Sequence, residues 1–133
     1  MNTSTPSNYP DIEIYISGAS ISDVLNWLKD IYRDIELVKT VNAGKSQNFL
    51  ASNPGDAQKT PILIVEDARD NFSCVWFQSA NAPWPTDLEC ALIATEHFSS
   101  EIRCSTGSWS EAPVSDEWFS IQCGKQTLIH WSS

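Results

Sequence analysis

Positive charge is scarce in this chain. Its 133 residues hold eight Lys and Arg against seventeen Asp and Glu, for a formal charge of −9 and an isoelectric point near 4.4. Affinity for nucleic acid rests mainly on Lys and Arg neutralising phosphate, so unaided nucleic-acid binding is disfavoured, and the same sign argues against attraction to an anionic membrane. Long apolar runs are missing as well. None approaches the ~20 residues of a membrane span, and residues 1–10 show neither the basic nor the apolar region of a secretory signal. A cytoplasmic protein with a flexible segment over 1–10 is the expectation. There are only two histidines, His97 and His130, which restricts any His-assisted nucleophile to those positions. The cysteines at 74, 90, 104 and 123 stand too far apart for close-paired zinc ligands, so free and mostly buried thiols are expected, with no metal and no cofactor.

Catalytic motifs are lacking too. Gly44-Lys45-Ser46 ends like a phosphate-binding loop, but Lys39 stands where the first glycine is needed and no amphipathic helix follows. Gly107-Ser108-Trp109-Ser110 lacks the flanking glycines of a nucleophile elbow. The carboxylate clusters Glu66, Asp67, Asp70 and Asp116, Glu117 have no calcium-loop spacing, and Arg69 partly neutralises the first. No catalytic residue is assigned and an enzyme is not expected. An enzymatic or small-ligand α+β domain is the third reading, and it would need a pocket that sets His97 or His130 beside a carboxylate.

What is present is concentrated in the C-terminal half. Between Asn81 and Gly124 stand seven carboxylates (Asp87, Glu89, Glu96, Glu101, Glu111, Asp116, Glu117) against one cation, Arg103, interleaved with Trp84, Trp109 and Trp118. A lopsided negative field steers cationic partners, and Trp is enriched where interfaces concentrate their energy. Trp84 between two prolines and Trp109 in a Ser/Gly-rich stretch fit no strand or helix pattern, so they are the candidate anchors. Trp27, Trp76, Trp118 and Trp131 are expected to pack. The candidate partner-binding set is Glu66, Asp67, Asp70, Trp84, Trp109, Glu111, Asp116 and Glu117.

Along the chain, Ile12, Ile14 and Ile16 alternate with Glu13, Tyr15 and Ser17, the pattern of a half-buried strand. Ser20 with Asp23 resembles a capping box, and apolar spacing then predicts a helix over 21–34. A second strand follows from Ile35, and 42–60, rich in Asn, Ser, Gly and Ala, reads as a long loop. Ile62 to Val65 and Phe72 to Gln78 read as a hairpin joined through the polar segment 66–71. Thr86 with Glu89 opens a second helix whose predicted core stripe is Leu88, Ala91, Leu92, Thr95 and Phe98, with Asp87, Glu89 and Glu96 outward. A short strand at 102–104 and a closing hairpin turning at Gly124-Lys125 complete the order. This predicts one α+β domain over 11–133 with a mixed or antiparallel sheet. Its two helices would lie on one face in a split βαβ, ferredoxin-like topology, with an added C-terminal hairpin.

A short acidic chain with Glu66, Asp67, Asp70, Asp116 and Glu117 in turns or at strand edges, and no catalytic constellation, resembles the small immunity proteins that neutralise secreted bacterial toxins. The resemblance is one of class, carried by composition and size without a signature motif. It implies a basic protein partner, such as a nuclease-type toxin domain, held by an acidic, Trp-containing surface of a monomer or weak dimer. A phage-encoded nucleic-acid mimic that inhibits a host defence protein shares the same surface physics and is the second reading.

Overall fold

Ile12, Ile14 and Ile16 are fully buried and Glu13, Tyr15 and Ser17 are half-buried, so the alternation in the sequence becomes the alternation of β1 (Ile12–Ser17). The structure, a computed structural model, describes residues 11–52, 58–79, 82–106 and 117–131. The 1–10 segment and the candidate residues Trp109, Glu111 and Asp116 lie outside them. After β1, Ser20 opens α1 (Ile21–Leu28): its hydroxyl accepts the Asp23 N–H at 3.1 Å, and the Asp23 carboxylate accepts the Ser20 N–H at 3.0 Å. The helix is shorter than the predicted 21–34. Asp30 and Ile31 donate to carbonyls three residues back, tightening the last turn, while Ile31 and Tyr32 still reach the core and so prolong the apolar spacing beyond the helix.

The remaining elements are β2 (Asp34–Val41), β3 (Ser46–Ser52), β4 (Lys59–Arg69), β5 (Phe72–Phe77), α2 (Asp87–Ala94), β6 (Ile102–Ser105), β7 (Glu117–Gln122) and β8 (Lys125–His130). The predicted 42–60 loop is therefore corrected. It contains β3, which pairs with β2 on one side and β4 on the other. Few of its side chains are apolar, so backbone pairing on both edges specifies this strand more than any hydrophobic pattern does.

All eight strands form one antiparallel sheet in the order β2-β3-β4-β5-β1-β6-β7-β8. The chain is α+β and mostly sheet. The predicted ferredoxin-like order does not form: β1-α1-β2 spans three intervening strands, whereas β5-α2-β6 spans only β1. β1 can sit at that central place because it pairs with β5 along its length and with β6 at its end. The C-terminal hairpin is part of this sheet rather than an appendage, since β7 pairs with β6. Buried side chains of both helices join Ile12, Ile14, Ile16, Ile62, Ile64, Ile102 and Ile121 in one cluster. No helix among the described residues is long and apolar enough to cross a membrane.

Two tight turns shape the hairpins. Asp70 and Asn71 both have positive φ, as do Cys123 and Gly124, and in each case the flanking residues pair directly, as a two-residue primed turn requires. The second turn thus sits one residue earlier than the predicted Gly124-Lys125. In α2 the Thr86 hydroxyl accepts the Glu89 N–H at 3.2 Å, as expected, but the buried set is Asp87, Cys90, Ala91 and Ala94. Leu92 is exposed and Asp87 is inward, reversing two predicted positions. Apolar residues run almost continuously through this short helix, so spacing alone could not orient it.

Candidate functional site: the outer face of the sheet

The sheet face turned away from the isoleucine core is built by the alternate residues of its central strands. Glu13 lies opposite Trp76 and Tyr15 opposite Cys74 across β1 and β5, while Tyr15 also faces Arg103 of β6. Arg103 in turn faces Ser120, and Ser105 faces Trp118, on β7. A period of two therefore gathers carboxylates, indoles and guanidinium groups from distant parts of the chain onto one surface.

Trp131 completes that surface from an unexpected direction. It follows β8, four strands from β5, a separation of about 19 Å across a flat sheet. Yet its ring centroid lies 5.1 Å from that of Phe72 on β5 and 5.3 Å from that of Tyr15 on β1. The sheet must curl toward its outer side in this half. Trp118 closes the aromatic group, with its centroid 4.9 Å from Trp131 and 5.6 Å from Tyr15. Two guanidinium groups sit on it: Arg69 lies 3.9 Å from the Trp131 ring centre and donates to the Trp131 carbonyl at 2.8 Å, and Arg103 lies 4.4 Å from the Phe72 ring centre.

The carboxylates of this face fall into two kinds. Glu101 accepts from Arg103 at 2.8 Å and from the Ser120 hydroxyl at 2.5 Å. Burial alone would raise its pKa, but those hydrogen bonds and the Arg103 charge bring it below the usual carboxylate value. Asp11 and Glu13 are held differently. Asp11 accepts the Trp76 indole N–H at 2.7 Å, and Glu13 accepts the Tyr15 hydroxyl at 3.0 Å and the Cys74 thiol at 3.3 Å. Among the described residues no cation lies within ion-pair distance of either. Burial first pushes both the Tyr15 and Cys74 pKa values well up, helped at Tyr15 by Cys74 and then Glu13 and at Cys74 by Glu13, so each keeps its proton as a donor.

A further carboxylate fills a gap between the two central strands β1 and β6. β1 pairs with β6 only at Tyr15 and Ile16, which leaves the Glu13 N–H without a strand partner. Asp87, in the first turn of α2, accepts it at 3.0 Å and accepts the Ser105 hydroxyl at 3.1 Å. Burial raises the Asp87 pKa to about 6 against the lowering effect of those hydrogen bonds. Sequence reasoning placed Asp87 outward, and no local signal marks its partner 74 residues away. Cys90 and Cys104 lie nearby in the core, and burial pushes Cys90 far up and Cys104 to about 12, so both thiols are protonated at neutral pH.

The described members of the predicted partner-binding set, Glu66, Asp67, Asp70, Trp84 and Glu117, stand at different places in the fold. Trp84 is not an exposed anchor but a core residue, 8% exposed, stacked on Trp27 at 5.7 Å and edge-on to Phe77 at 5.1 Å. The indole thus packs inward on Trp27 of α1. Glu66 is half-buried and accepts the Ile21 N–H at 3.3 Å, serving the start of α1. Asp67 is exposed at positive φ and accepts the Asn71 N–H within the β4–β5 turn, with Lys45 at 3.9 Å. Asp70 alone joins the outer-face group, accepting the Trp131 indole N–H at 2.7 Å. Glu117 is half-buried and pairs opposite His130 at the start of β7. Of the seven carboxylates expected to form one acidic field over 81–124, Asp87 is buried and Glu101 pairs with Arg103, while Glu111 and Asp116 lie outside the described residues. The outer-face residues Asp11, Glu13, Tyr15 and Trp76 were missed as a group. The strict alternation of β1 was the available signal, since it sets Asp11, Glu13 and Tyr15 on one side.

His97 lines an open depression of about 250 Å³ with Asp23 and Asn26. Among the described residues no hydrogen bond joins it to Asp23, whose carboxylate is engaged at the α1 cap. Among the described residues no three His, Cys, Asp or Glu side chains converge in a way that could hold a metal ion. Comparison with family models, curated proteins and solved structures finds no match for the chain.

Proposed function

We propose that this chain is a binding protein for a cationic protein partner, acting as a toxin-neutralising immunity protein does, and that it docks through Asp11, Glu13 and Trp76 on the outer face of the sheet. The observation that carries the reading is the manner in which Asp11 and Glu13 are held. Their donors are an indole, a phenol and a thiol, all neutral, so each carboxylate is fixed in place while its charge stays available. A cation arriving there meets groups already ordered on a rigid strand, which lowers the entropic cost of docking and favours rapid, steered association. Half-buried Trp76 beside them supplies the apolar anchor that would slow dissociation.

Calorimetry and stopped-flow association against the basic product of a neighbouring toxin-like gene test this. Trp76→Ala is expected to weaken the complex by ~2 kcal/mol or more, and the Asp11→Asn, Glu13→Gln pair to slow association and flatten its salt dependence. No complex at micromolar concentration, or a complex indifferent to all three substitutions, would refute the proposal. A gene lying in a phage operon, with a host defence protein as the ligand instead, would assign the surface to nucleic-acid mimicry.

A further inference from the structure

β2 ends the sheet, and among the described residues no strand takes up the backbone N–H and C=O groups along its outer edge. Leu37 and Val38 on this strand are 53% and 58% exposed, and Val41 is exposed as well. An edge strand with exposed apolar side chains is a template for another strand. Its charges are arranged in an unusual way. Against β3, Glu36 opposes Leu50 and Lys39 opposes Asn48, with a register shift that leaves Val38 as the extra residue. Leu50 and Asn48 are two apart and share a face, so Glu36 and Lys39 share a face too, although they stand three positions apart.

We infer that β2 pairs with β2 of a second copy of this chain, antiparallel about a two-fold axis between Leu37 and Val38, with Glu36 of each copy opposite Lys39 of the other. In that register Leu37 meets Val38, Ile35 meets Thr40 and Asp34 meets Val41. The bulged stretch has the same number of residues in both strands, so the two bulges oppose each other without breaking the count. Two oppositely charged cross-strand pairs form on one face, and the most exposed apolar residues of the strand cover one another at the axis. The other edge does not offer this. β8 exposes Leu128 but carries no carboxylate, and its pairing with β7 shows no register shift, so no self-pairing of that strand sets opposite charges across the axis. Pairing β2 with β8 of another copy would be heterologous and would propagate into open-ended assemblies. The dimer edge is separate from the docking surface proposed above and stands or falls independently of it.

The test is sedimentation equilibrium of the full chain to about 1 mM, a range that reaches weak association. Wild type is expected to rise from one chain mass to two and stop there. Glu36→Lys and Lys39→Glu each set like charges opposite one another twice and should raise the dimer dissociation constant about tenfold or more, while the E36K/K39E double variant should return to within about threefold of wild type. Both positions are exposed, and thermal melts of the single variants confirm that the fold is retained. A wild type that stays at one chain mass throughout overturns the inference. So does a double variant no better than the singles, or growth beyond two chains, which would assign the contact to β2 and β8.

Discussion

Replacing Asp87 by Asn removes the charge of the carboxylate that plugs the gap between β1 and β6 while keeping its shape. In the folded protein its pKa stands at about 6 against 3.8 in the unfolded chain, with burial as the first cause. The folded state thus holds the proton more tightly than the unfolded state. The stabilising contribution is complete below the unfolded value and is lost as pH rises through the folded value. A shift of about two units corresponds to about 3 kcal/mol forfeited between pH 4 and pH 7. Asn is neutral throughout; its carbonyl accepts the Glu13 N–H and its amide donates to the Ser105 hydroxyl oxygen. Urea denaturation of both proteins at intervals from pH 4 to 7.5 reads the effect, because groups that do not interact with Asp87, Glu101 among them, are common to the two and cancel, leaving Asp87 and its coupling to Glu13 and Asp11. The stability of D87N minus that of wild type should climb by about 3 kcal/mol toward neutral pH. A difference that stays flat with pH would refute the reasoning. Asp87→Ala is the control: it leaves the partly buried Glu13 N–H without its acceptor and should cost about 1–3 kcal/mol even at pH 4.

Trp84→Ala, removing an indole stacked on Trp27, should lower stability by about 3–5 kcal/mol in chemical denaturation, the cost of emptying a core site. Cys123→Asn puts a residue tolerant of positive φ into the β7–β8 turn and should add about 0.5–1 kcal/mol, read as a raised melting temperature. A thiol reagent at neutral pH should titrate Cys123 rapidly in the native protein and reach Cys74, Cys90 and Cys104 only on unfolding, because Cys123 alone is exposed; fast labelling of a second thiol would contradict the packing. Ser20→Ala, breaking the reciprocal cap of α1, should cost about 1 kcal/mol of stability.

Much of the fold was legible where the signal is local. β1 follows from the Ile12, Ile14, Ile16 alternation, and both helix starts follow from Ser20 and Thr86, whose side chains bond the N–H three residues on. The helix of α2 was found but its face was not, because Leu92 and Ile93 carry the same apolar signal as the buried Ala91 and Ala94. β3 was hidden for the opposite reason: Ser46, Gln47 and Asn48 look like loop residues, and only the flanking strands make them a strand. Trp84 shows the limit for the candidate site. Exposure of an indole depends on what stands across from it, and Trp27 lies 57 positions earlier in the chain.

The sequence by itself determined the acidic balance, the α+β class, the two capped helix starts and the β4–β5 and β7–β8 hairpins, since each depends on residue type or on contacts a few positions apart. Only the tertiary structure decided the strand order, the inward turn of Asp87 and the surface where Asp11, Glu13 and Trp76 meet. It also set the curl that brings the Trp131 indole to Asp70, 61 residues away. Local periodicity states which side of a strand or helix a residue occupies, but which strands become neighbours is set by the packing of the whole chain around one core, and no short window of sequence contains that information.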